Sequence, residues 1–347
     1  MRILEHVVAL GIATLALASC NGAASSSSGP LGLAQSAPQI SEHSGACPCL
    51  YVADNDSNSV TVYPLSSNPK QPPTQVISGS NTGLSLPSAV AVDKRANIYV
   101  TNLYSKSVTI YAAGSTGNVA PTATISGKHT LLNWDLGIAL NPVNGDIYVA
   151  NELGGSTGDG YITIYRPHSN GDVRPIGSIT GPATELAEPV SVALDASGKI
   201  YVSNSVVPNS TVTVYAAGSL GNVAPIQVIG GSNTGLYNPY GIAVDSSLNI
   251  YVANFEENSI TVYAAGSNGN VAPMATISGN ETKLDFPYGL AVDKHSKVYV
   301  SEFYRPNPSN PYLNEVLRFA ADANGNVKPG ETRNVSPYWW PEGIAIR

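Results

Sequence analysis

A six-fold repeat constrains this chain more than any other feature of its sequence. A short apolar segment with a tyrosine in its second or third position recurs at intervals of 48, 49, 53, 50 and 48 residues. The repeated tyrosines are Tyr51, Tyr99, Tyr148, Tyr201, Tyr251 and Tyr299. A fixed period of this length is typical of propellers, solenoids and other repeat arrays, so it must be interpreted before any single motif.

Each repeat contains four short apolar segments. In the fifth copy they cover residues 241–245, 250–254, 260–264 and 273–277, and all are rich in β-branched or aromatic residues. Gly, Asn, Asp and Ser interrupt them, which predicts strands joined by tight turns. No helical stripe of apolar residues is sustained. Four antiparallel strands per repeat predict an all-β chain that forms a six-bladed β-propeller of four-stranded blades.

The two ends of the repeat region complement each other. The first repeat lacks an inner strand, because Cys47-Pro-Cys49 leads directly into its second strand. The chain ends in Glu342-Gly-Ile-Ala-Ile-Arg347, which has the pattern of an inner strand without later partners. We predict that this C-terminal strand completes the N-terminal blade and closes a propeller of residues 47–347. The alternative is a truncated repeat at each end.

The N-terminal region has the features of an export signal. Arg2 precedes an apolar run from Val7 to Ala18, which predicts a signal peptide over residues 1–19. The segment Leu17-Ala-Ser-Cys20 resembles a bacterial lipobox, and this resemblance implies cleavage before Cys20 and lipidation of its thiol. Residues 20–46 are rich in Ser, Gly and Pro and predict a flexible tether. The predicted location is the cell envelope, with an ordinary cleaved signal as the alternative.

Composition limits the classes of partner. Charged residues make up 12% of the chain, the net charge is −7, and no basic run occurs. Such a chain is a poor match for nucleic acid or for an anionic membrane surface. We therefore predict a monomer that contacts the membrane only through its lipid anchor. Cys47 and Cys49 are separated by one proline, and a disulfide between them would be strained.

Two adjacent segments of the fifth copy carry a family resemblance. Pro239-Tyr-Gly-Ile-Ala-Val-Asp245 followed by Asn249-Ile-Tyr-Val-Ala-Asn254 resembles the NHL repeat and the related YVTN-type and SMP-30/gluconolactonase-like propellers. The second copy contains Tyr99-Val-Thr-Asn102 itself. The resemblance implies a propeller fold, but not one function, because this architecture serves enzymes and scaffolds alike. Asn replaces the usual Asp at the end of the second strand in four copies.

Variation between the copies is concentrated on one side of the predicted ring. The loop between the second and third strands is longest in the third copy, at residues 152–160, and in the sixth, at residues 303–315. In a four-stranded blade this loop lies on the same face as the blade-to-blade connection. Insertions of this kind often form a binding face. The alternative is neutral variation of exposed loops.

Carboxylates at the predicted channel mouth raise the question of a metal. Lactonases of the gluconolactonase type, which resemble this layout, carry Asn and Asp ligands immediately before the glycine of the inner strand. Here Glu342 is the only carboxylate at that position, and Glu302 ends an adjacent strand. Two carboxylates supply fewer oxygens than Ca²⁺ requires. We therefore predict no metal site and no cofactor, with Ca²⁺ as a weaker alternative, and find no catalytic motif.

Aromatic residues are the strongest candidates for ligand contact. Tyr240, Tyr288, Trp339 and Trp340 lie in or beside blade-to-blade loops, where aromatic rings suit a carbohydrate, peptide or protein ligand. The alternative is that they pack between blades and plug the channel. We predict a non-enzymatic binding or scaffold module anchored to the envelope. The alternative function is a metal-dependent lactonase or lyase-like enzyme with its site in the central channel.

Overall fold

The structure is a computed structural model that describes residues 48–65, 68–155, 159–303, 315–335 and 341–347. Within these ranges, twenty-four strands form six four-stranded antiparallel sheets, which are the six blades of a closed propeller. The predicted fold class is therefore confirmed. The predicted signal peptide and tether, with Cys20 and Cys47, lie outside the described residues. The described part of the chain has no helix that is long and apolar enough to cross a membrane.

The first three blades are built as follows, each listed from the channel outwards. Blade one consists of β24 (Pro341–Ile346), β1 (Cys49–Asp54), β2 (Ser59–Pro64) and β3 (Gln75–Ser78). Blade two consists of β4 (Pro87–Val92), β5 (Ile98–Asn102), β6 (Ser107–Tyr111) and β7 (Ala123–Ser126). Blade three consists of β8 (Asp135–Leu140), β9 (Ile147–Asn151), β10 (Tyr161–Tyr165) and β11 (Gly177–Ile179).

The remaining three blades follow the same order. Blade four consists of β12 (Pro189–Leu194), β13 (Ile200–Asn204), β14 (Thr211–Tyr215) and β15 (Gln227–Gly230). Blade five consists of β16 (Pro239–Val244), β17 (Ile250–Asn254), β18 (Ser259–Tyr263) and β19 (Ala275–Ser278). Blade six consists of β20 (Pro287–Val292), β21 (Val298–Glu302), β22 (Glu315–Phe319) and β23 (Glu331–Asn334).

The C-terminal strand closes the ring as the sequence predicts. Strand β24 pairs antiparallel with β1, with Leu50 opposite Ile346 and Val52 opposite Ile344. Inner strands approach each other closely around the axis. A Cβ atom on Gly241 would lie 2.5 Å from the carbonyl oxygen of Tyr288 in the next blade. Glycine is required there because any side chain would push neighbouring blades apart.

Hydrophobic packing holds neighbouring blades together. Six clusters of buried side chains each combine residues of two adjacent blades, so the core is a series of blade-to-blade interfaces. A buried tyrosine ends the third strand in blades two to five, and in blade one it is the residue before the last. In blade two, the Tyr111 hydroxyl donates a hydrogen bond to the carbonyl oxygen of Thr82, 2.5 Å away in the preceding connection. The ring is therefore buried in the core while its hydroxyl group is hydrogen-bonded.

Backbone hydrogen bonds join the outer edges of neighbouring blades at five of the six junctions, and we call each such set of bonds a latch. At the first junction, Gly117 of blade two donates its N–H to Val76 O at 2.6 Å, and Ser78 donates to Gly117 O at 3.2 Å. Asn118 completes the latch by accepting the N–H of Asn81 at 2.7 Å. Equivalent bridges pair Ile125 with Gly171, Ile179 with Gly221, Ile229 with Gly269 and Ile277 with Gly325.

The closing junction between blades six and one uses a different latch. Pro69 occupies the position of Gly117 in the blade-one hairpin and has no N–H to donate. Arg333 occupies the position that isoleucine holds in the other five outer strands, and its side chain is buried. Its guanidinium donates to Asn68 O and to Gln71 O, each at 3.4 Å. At this junction a charged side chain of blade six therefore donates to the blade-one hairpin, whereas at the other five the hairpin N–H donates to the preceding blade.

Candidate functional site

The candidate site lies on the face formed by the loops that join the second strand to the third and one blade to the next. We call this surface the insertion face. Antiparallel pairing places the start of each inner strand beside the end of the second strand, as Pro239 opposite Asn254 illustrates. Both kinds of loop therefore meet around one mouth of the central channel.

A buried asparagine fixes these loops in four blades. In blade five, Asn254 ends β17, its Oδ1 accepts the N–H of Tyr237 at 3.2 Å, and its Nδ2 donates to Thr261 Oγ1 at 3.1 Å. The amide thus ties the blade-to-blade connection to the third strand, rather than serving a metal. The same arrangement recurs at Asn102, Asn151 and Asn204.

Glu302 replaces this asparagine in blade six. Its Oε2 accepts the N–H of Asp285 at 2.5 Å, in the place where Asn254 accepts that of Tyr237. Leu317 replaces the threonine on the third strand, and Glu302 Oε1 has no hydrogen-bond partner among the described residues. Burial raises the pKa of Glu302 well above its ordinary value. The Asp285 N–H opposes this rise, and the charges of Asp285 and Glu315 add to it.

Five aromatic rings form a continuous cluster on the insertion face of blades five and six. The ring centroid of Tyr240 lies 4.7 Å from that of Phe255 and 4.7 Å from that of Tyr288. Phe303 extends the cluster at 5.8 Å from Tyr288 and 5.5 Å from Phe255. Phe286 lies 5.0 Å from Phe255. All five side chains are partly exposed, so the cluster is an accessible surface as well as an interblade contact.

Glu342 lies beside this cluster at the start of the closing strand β24. The Tyr288 hydroxyl and the Asn55 side chain donate hydrogen bonds to its carboxylate. Its Oε2 is buried and has no hydrogen-bond partner among the described residues, and the residue is only 6% exposed. Burial raises the pKa of Glu342 to about 8. The two hydrogen bonds oppose this rise, and the charges of Asp54 and Asp56 add to it.

Carboxylates from several blades surround the aromatic cluster. The charges that act on the Tyr240 hydroxyl come from Glu152, Glu342, Glu256 and Glu188, which belong to blades three, one, five and four or their connections. Together with burial, they raise the pKa of Tyr240 to about 12. Burial and the charge of Glu188 likewise raise the pKa of Glu152. Acidic side chains from four parts of the chain therefore surround the Tyr240 hydroxyl at the mouth of the channel.

Charge is divided unequally between the two faces of the ring. Of the described lysine and arginine residues, only Lys106, Lys128 and Lys283 lie in loops of the insertion face. The acidic residues in those loops are Asp56, Glu152, Asp159, Glu185, Glu188, Glu256, Glu257, Glu281 and Asp285. The lysines and arginines of the opposite loops include Lys94, Arg95, Arg166, Lys199, Lys294 and Lys297. Lys328, in an outer hairpin, pairs with Glu281 at 3.2 Å. Acidic residues therefore outnumber basic ones in the described loops of the insertion face.

A narrow cavity runs along the axis below the cluster. It has a volume of about 80 Å³, and Ser88, Leu136, Val190, Tyr240 and Tyr288 line it with the inner-strand glycines. A cavity of about 150 Å³ is known to bind benzene. The channel cavity is about half that size, which favours a narrow, linear group over a ring.

The structure brings together some of the site residues predicted from the sequence and keeps others apart. Tyr240, Tyr288 and Glu342 converge at the channel mouth. Glu302 instead fixes the connection before Tyr288 by accepting the N–H of Asp285. Its charged neighbours are Asp285 and Glu315 rather than Glu342. Trp339 and Trp340 lie outside the described residues. In the described ranges, no group of three or more His, Cys, Asp or Glu side chains is arranged to hold a metal ion.

Sequence reasoning overlooked Phe255 and Phe286 as members of the cluster. The signal was present in the aligned repeats: Phe255 and Phe303 follow the last residue of the second strand in blades five and six. Those are the same two blades that place tyrosine before the inner-strand glycine. The coincidence of two aromatic positions in two adjacent blades therefore marks the cluster.

Comparison with known proteins supports the propeller fold. No protein-family model and no curated protein sequence matches the chain. A Bacteroides caccae protein of unknown function has a similar crystal structure, with a TM-score of 0.60 and 12% identity, covering 87% of this chain and 99% of that one. The WD40 β-propeller domain of Doa1 aligns with a TM-score of 0.45 and 13% identity over 71% of this chain and 68% of that one.

Proposed function

We propose that this protein is a non-enzymatic binding or scaffold module of the NHL-like propeller type, anchored to the cell envelope by a lipid on Cys20. The observation that carries the binding proposal is the aromatic cluster around Tyr240 and Tyr288, with centroids 4.7 Å apart at the channel mouth. Partly exposed rings offer a ligand contact area that loses little conformational entropy on binding, and neighbouring polar groups orient the ligand.

The surrounding structure supports a preformed site. Asn254 holds the connection before Tyr240, and Glu302 holds the connection before Tyr288. The Ser203 hydroxyl donates to the carbonyl oxygen of Tyr240 at 2.6 Å, which ties this residue to blade four. Because the backbone on both sides of the cluster is fixed, ligand binding requires little ordering of the protein.

The binding proposal is tested by saturation-transfer NMR with two small probes, methyl β-glucoside and the peptide acetyl-Gly-Tyr-Gly-amide. We expect transfer to at least one probe, and we expect the double variant Tyr240→Ala/Tyr288→Ala to abolish it. The control is Tyr104→Ala, which removes a 78% exposed tyrosine from another loop of the same face. Transfer that survives the double variant, or transfer to neither probe, would overturn the assignment of this cluster as the binding site.

A further inference from the structure

The chemistry of the channel mouth defines a class of ligand. Resting on the proposed function, we infer that the site binds an alkylammonium group, the head of a lysine side chain or of a free linear amine, between the rings of Tyr240 and Tyr288 and the carboxylate of Glu342. Three independent features of the described residues lead to this assignment: the buried carboxylate, the aromatic rings and the shape of the cavity.

The first feature is a buried carboxylate with unused hydrogen-bonding capacity. Glu342 is only 6% exposed, and Tyr288 and Asn55 both donate to its carboxylate. Its Oε2 has no hydrogen-bond partner in the described ranges. An unpartnered buried carboxylate oxygen is costly, and a charged donor satisfies it best. A primary ammonium has three donors and no acceptor, which matches this vacancy.

The second feature is the set of aromatic rings beside that oxygen. Tyr240 and Tyr288 pack against each other at 4.7 Å, and the Tyr288 hydroxyl binds Glu342. A cation near an aromatic face gains about 0.5–1 kcal/mol when exposed and about 2 kcal/mol when desolvated. Glu152, Glu188 and Glu256 add negative charge around Tyr240 from three further segments. A neutral ligand would gain only its contact with the rings, whereas an ammonium ion would also be attracted by the negative charges of the carboxylates.

The third feature is the size of the channel. A cavity of about 80 Å³ is about half the size of a cavity of about 150 Å³ that is known to bind benzene. A methylene chain that ends in an ammonium group is narrower than a ring. The cavity therefore favours a linear aliphatic amine over a cyclic cation, with Tyr240 and Tyr288 in its lining and Glu342 next to Gly343, which also lines it.

The electrostatic environment of Glu342 agrees with this assignment. Among the described residues, the groups that act most strongly on its carboxyl are Tyr288, Asn55, Asp54 and Asp56, and none of these four carries a positive charge. Burial raises the pKa of Glu342 to about 8, so the free carboxyl retains its proton near neutral pH. An ammonium ligand would displace that proton and take its place as the charge partner. Binding should therefore release a proton and strengthen as the pH rises towards 8.

The test is a titration with three matched probes: n-butylammonium chloride, n-butanol and sodium butyrate. Calorimetry should show that butylammonium binds at least about tenfold more tightly than butanol, and that butyrate does not bind. Glu342→Gln should weaken butylammonium binding by about tenfold or more while leaving butanol binding unchanged. Glu257→Gln, an exposed carboxylate on the same face, is the matched control and should change neither.

The outcomes separate this inference from the proposed function. Equal binding of butylammonium and butanol, unaffected by Glu342→Gln but abolished by Tyr240→Ala/Tyr288→Ala, overturns the alkylammonium assignment and leaves the binding module intact. Binding of none of the three probes overturns this inference, while the saturation-transfer experiments with the sugar and the tyrosine peptide still decide the proposed function. Butyrate binding more tightly than butylammonium also rejects the inference.

A second pair of probes distinguishes the two sources of the amine. Acetyl-Ala-Lys-Ala-amide is compared with the same peptide acetylated on the lysine Nζ, which removes the charge and keeps the stem. Tighter binding of the lysine peptide than of butylammonium assigns the site to a lysine side chain of a protein partner. Binding of butylammonium with exclusion of both peptides assigns it to a free linear amine. Equal binding of the two peptides rejects a charge-dependent site for peptides.

Discussion

The guanidinium of Arg333 lies 3.4 Å from the carbonyl oxygen of Asn68, across the junction at which the propeller closes. Arg333 also pairs with Glu331 at 3.1 Å and stacks 5.5 Å from the ring centre of Tyr63. The other five junctions use backbone bridges at an isoleucine. The closing junction is therefore chemically distinct, and it depends on one buried cation.

Arg333→Ala should destabilise the propeller by about 2 kcal/mol, because it removes a buried side chain, its hydrogen bonds to the carbonyl groups of Asn68 and Gln71, and one of the two cations that pair with Glu331. Denaturant unfolding measures this change. Arg333→Ile restores the residue of the other five blades, but should fail to rescue stability because Pro69 still has no N–H. Adding Pro69→Gly to Arg333→Ile should recover part of the loss. If Arg333→Ile alone is as stable as the wild-type protein, the side chain of Arg333 is not needed to hold blades six and one together.

Removing residues 342–347 should open the ring. The truncated blade one would expose the edge of β1, whose partners Ile344 and Ile346 are lost. Exposed strand edges promote association between chains. We expect a large fall in melting temperature and the appearance of aggregates in size-exclusion chromatography. A truncated protein that remains monomeric and melts at the wild-type temperature would rule out the C-terminal closure as a source of stability.

Glu302→Gln should stabilise the protein progressively as the pH rises above the ordinary glutamate pKa of 4.5. The pKa of Glu302 is raised in the folded state above the ordinary value of 4.5, so the folded state binds the proton more tightly than the unfolded state. The stability gained from this proton is lost as the pH rises from the ordinary pKa towards the raised one. Glutamine keeps the acceptor for the Asp285 N–H and does not titrate. Thermal melts of both proteins over this pH interval measure the difference, with Glu257→Gln as the control. A difference in melting temperature that does not change with pH would contradict the raised pKa of Glu302 in the folded protein.

Calcium should leave the melting temperature of the wild-type protein unchanged relative to excess chelator. A bound ion would stabilise the fold by RT ln(1 + [L]/Kd), or about 2.7 kcal/mol at a hundredfold excess over Kd. Differential scanning calorimetry detects such a shift readily. A rise of several degrees that Glu342→Gln abolishes would favour the metal-dependent lactonase or lyase-like alternative over a binding module.

Cys20→Ala should move the protein from the membrane fraction to the soluble fraction, because the lipid is its only proposed anchor. Immunoblotting of fractionated cells measures the distribution, and metabolic labelling with palmitate tests the modification directly. Ser25→Ala, in the tether after the lipobox-like segment, serves as the control. Failure of palmitate to label the wild-type protein would reject lipidation, whatever the distribution between fractions.

The repeat pattern alone determined most of the architecture. The tyrosine period predicted six blades, the β-branched segments predicted four strands in each, and the orphan strand at 342–347 predicted the closure with blade one. These features are readable because strand periodicity and turn residues are local properties of the chain. The sequence also placed Tyr240, Tyr288 and Glu342 at one position of the repeat, which is why it nominated them together.

Only the tertiary structure decided how those residues meet. Glu302 and Glu342 are both candidate channel-mouth carboxylates in the sequence, yet Glu302 fixes a connection between blades and Glu342 lies beside Tyr288. Phe255 joins the cluster through contact across blades, and Arg333 acts through a hairpin more than 260 residues away in the chain. Such relationships depend on which blades are neighbours and on how their side chains pack. Periodicity carries no information about either, because it describes each repeat in isolation and the site is formed between repeats.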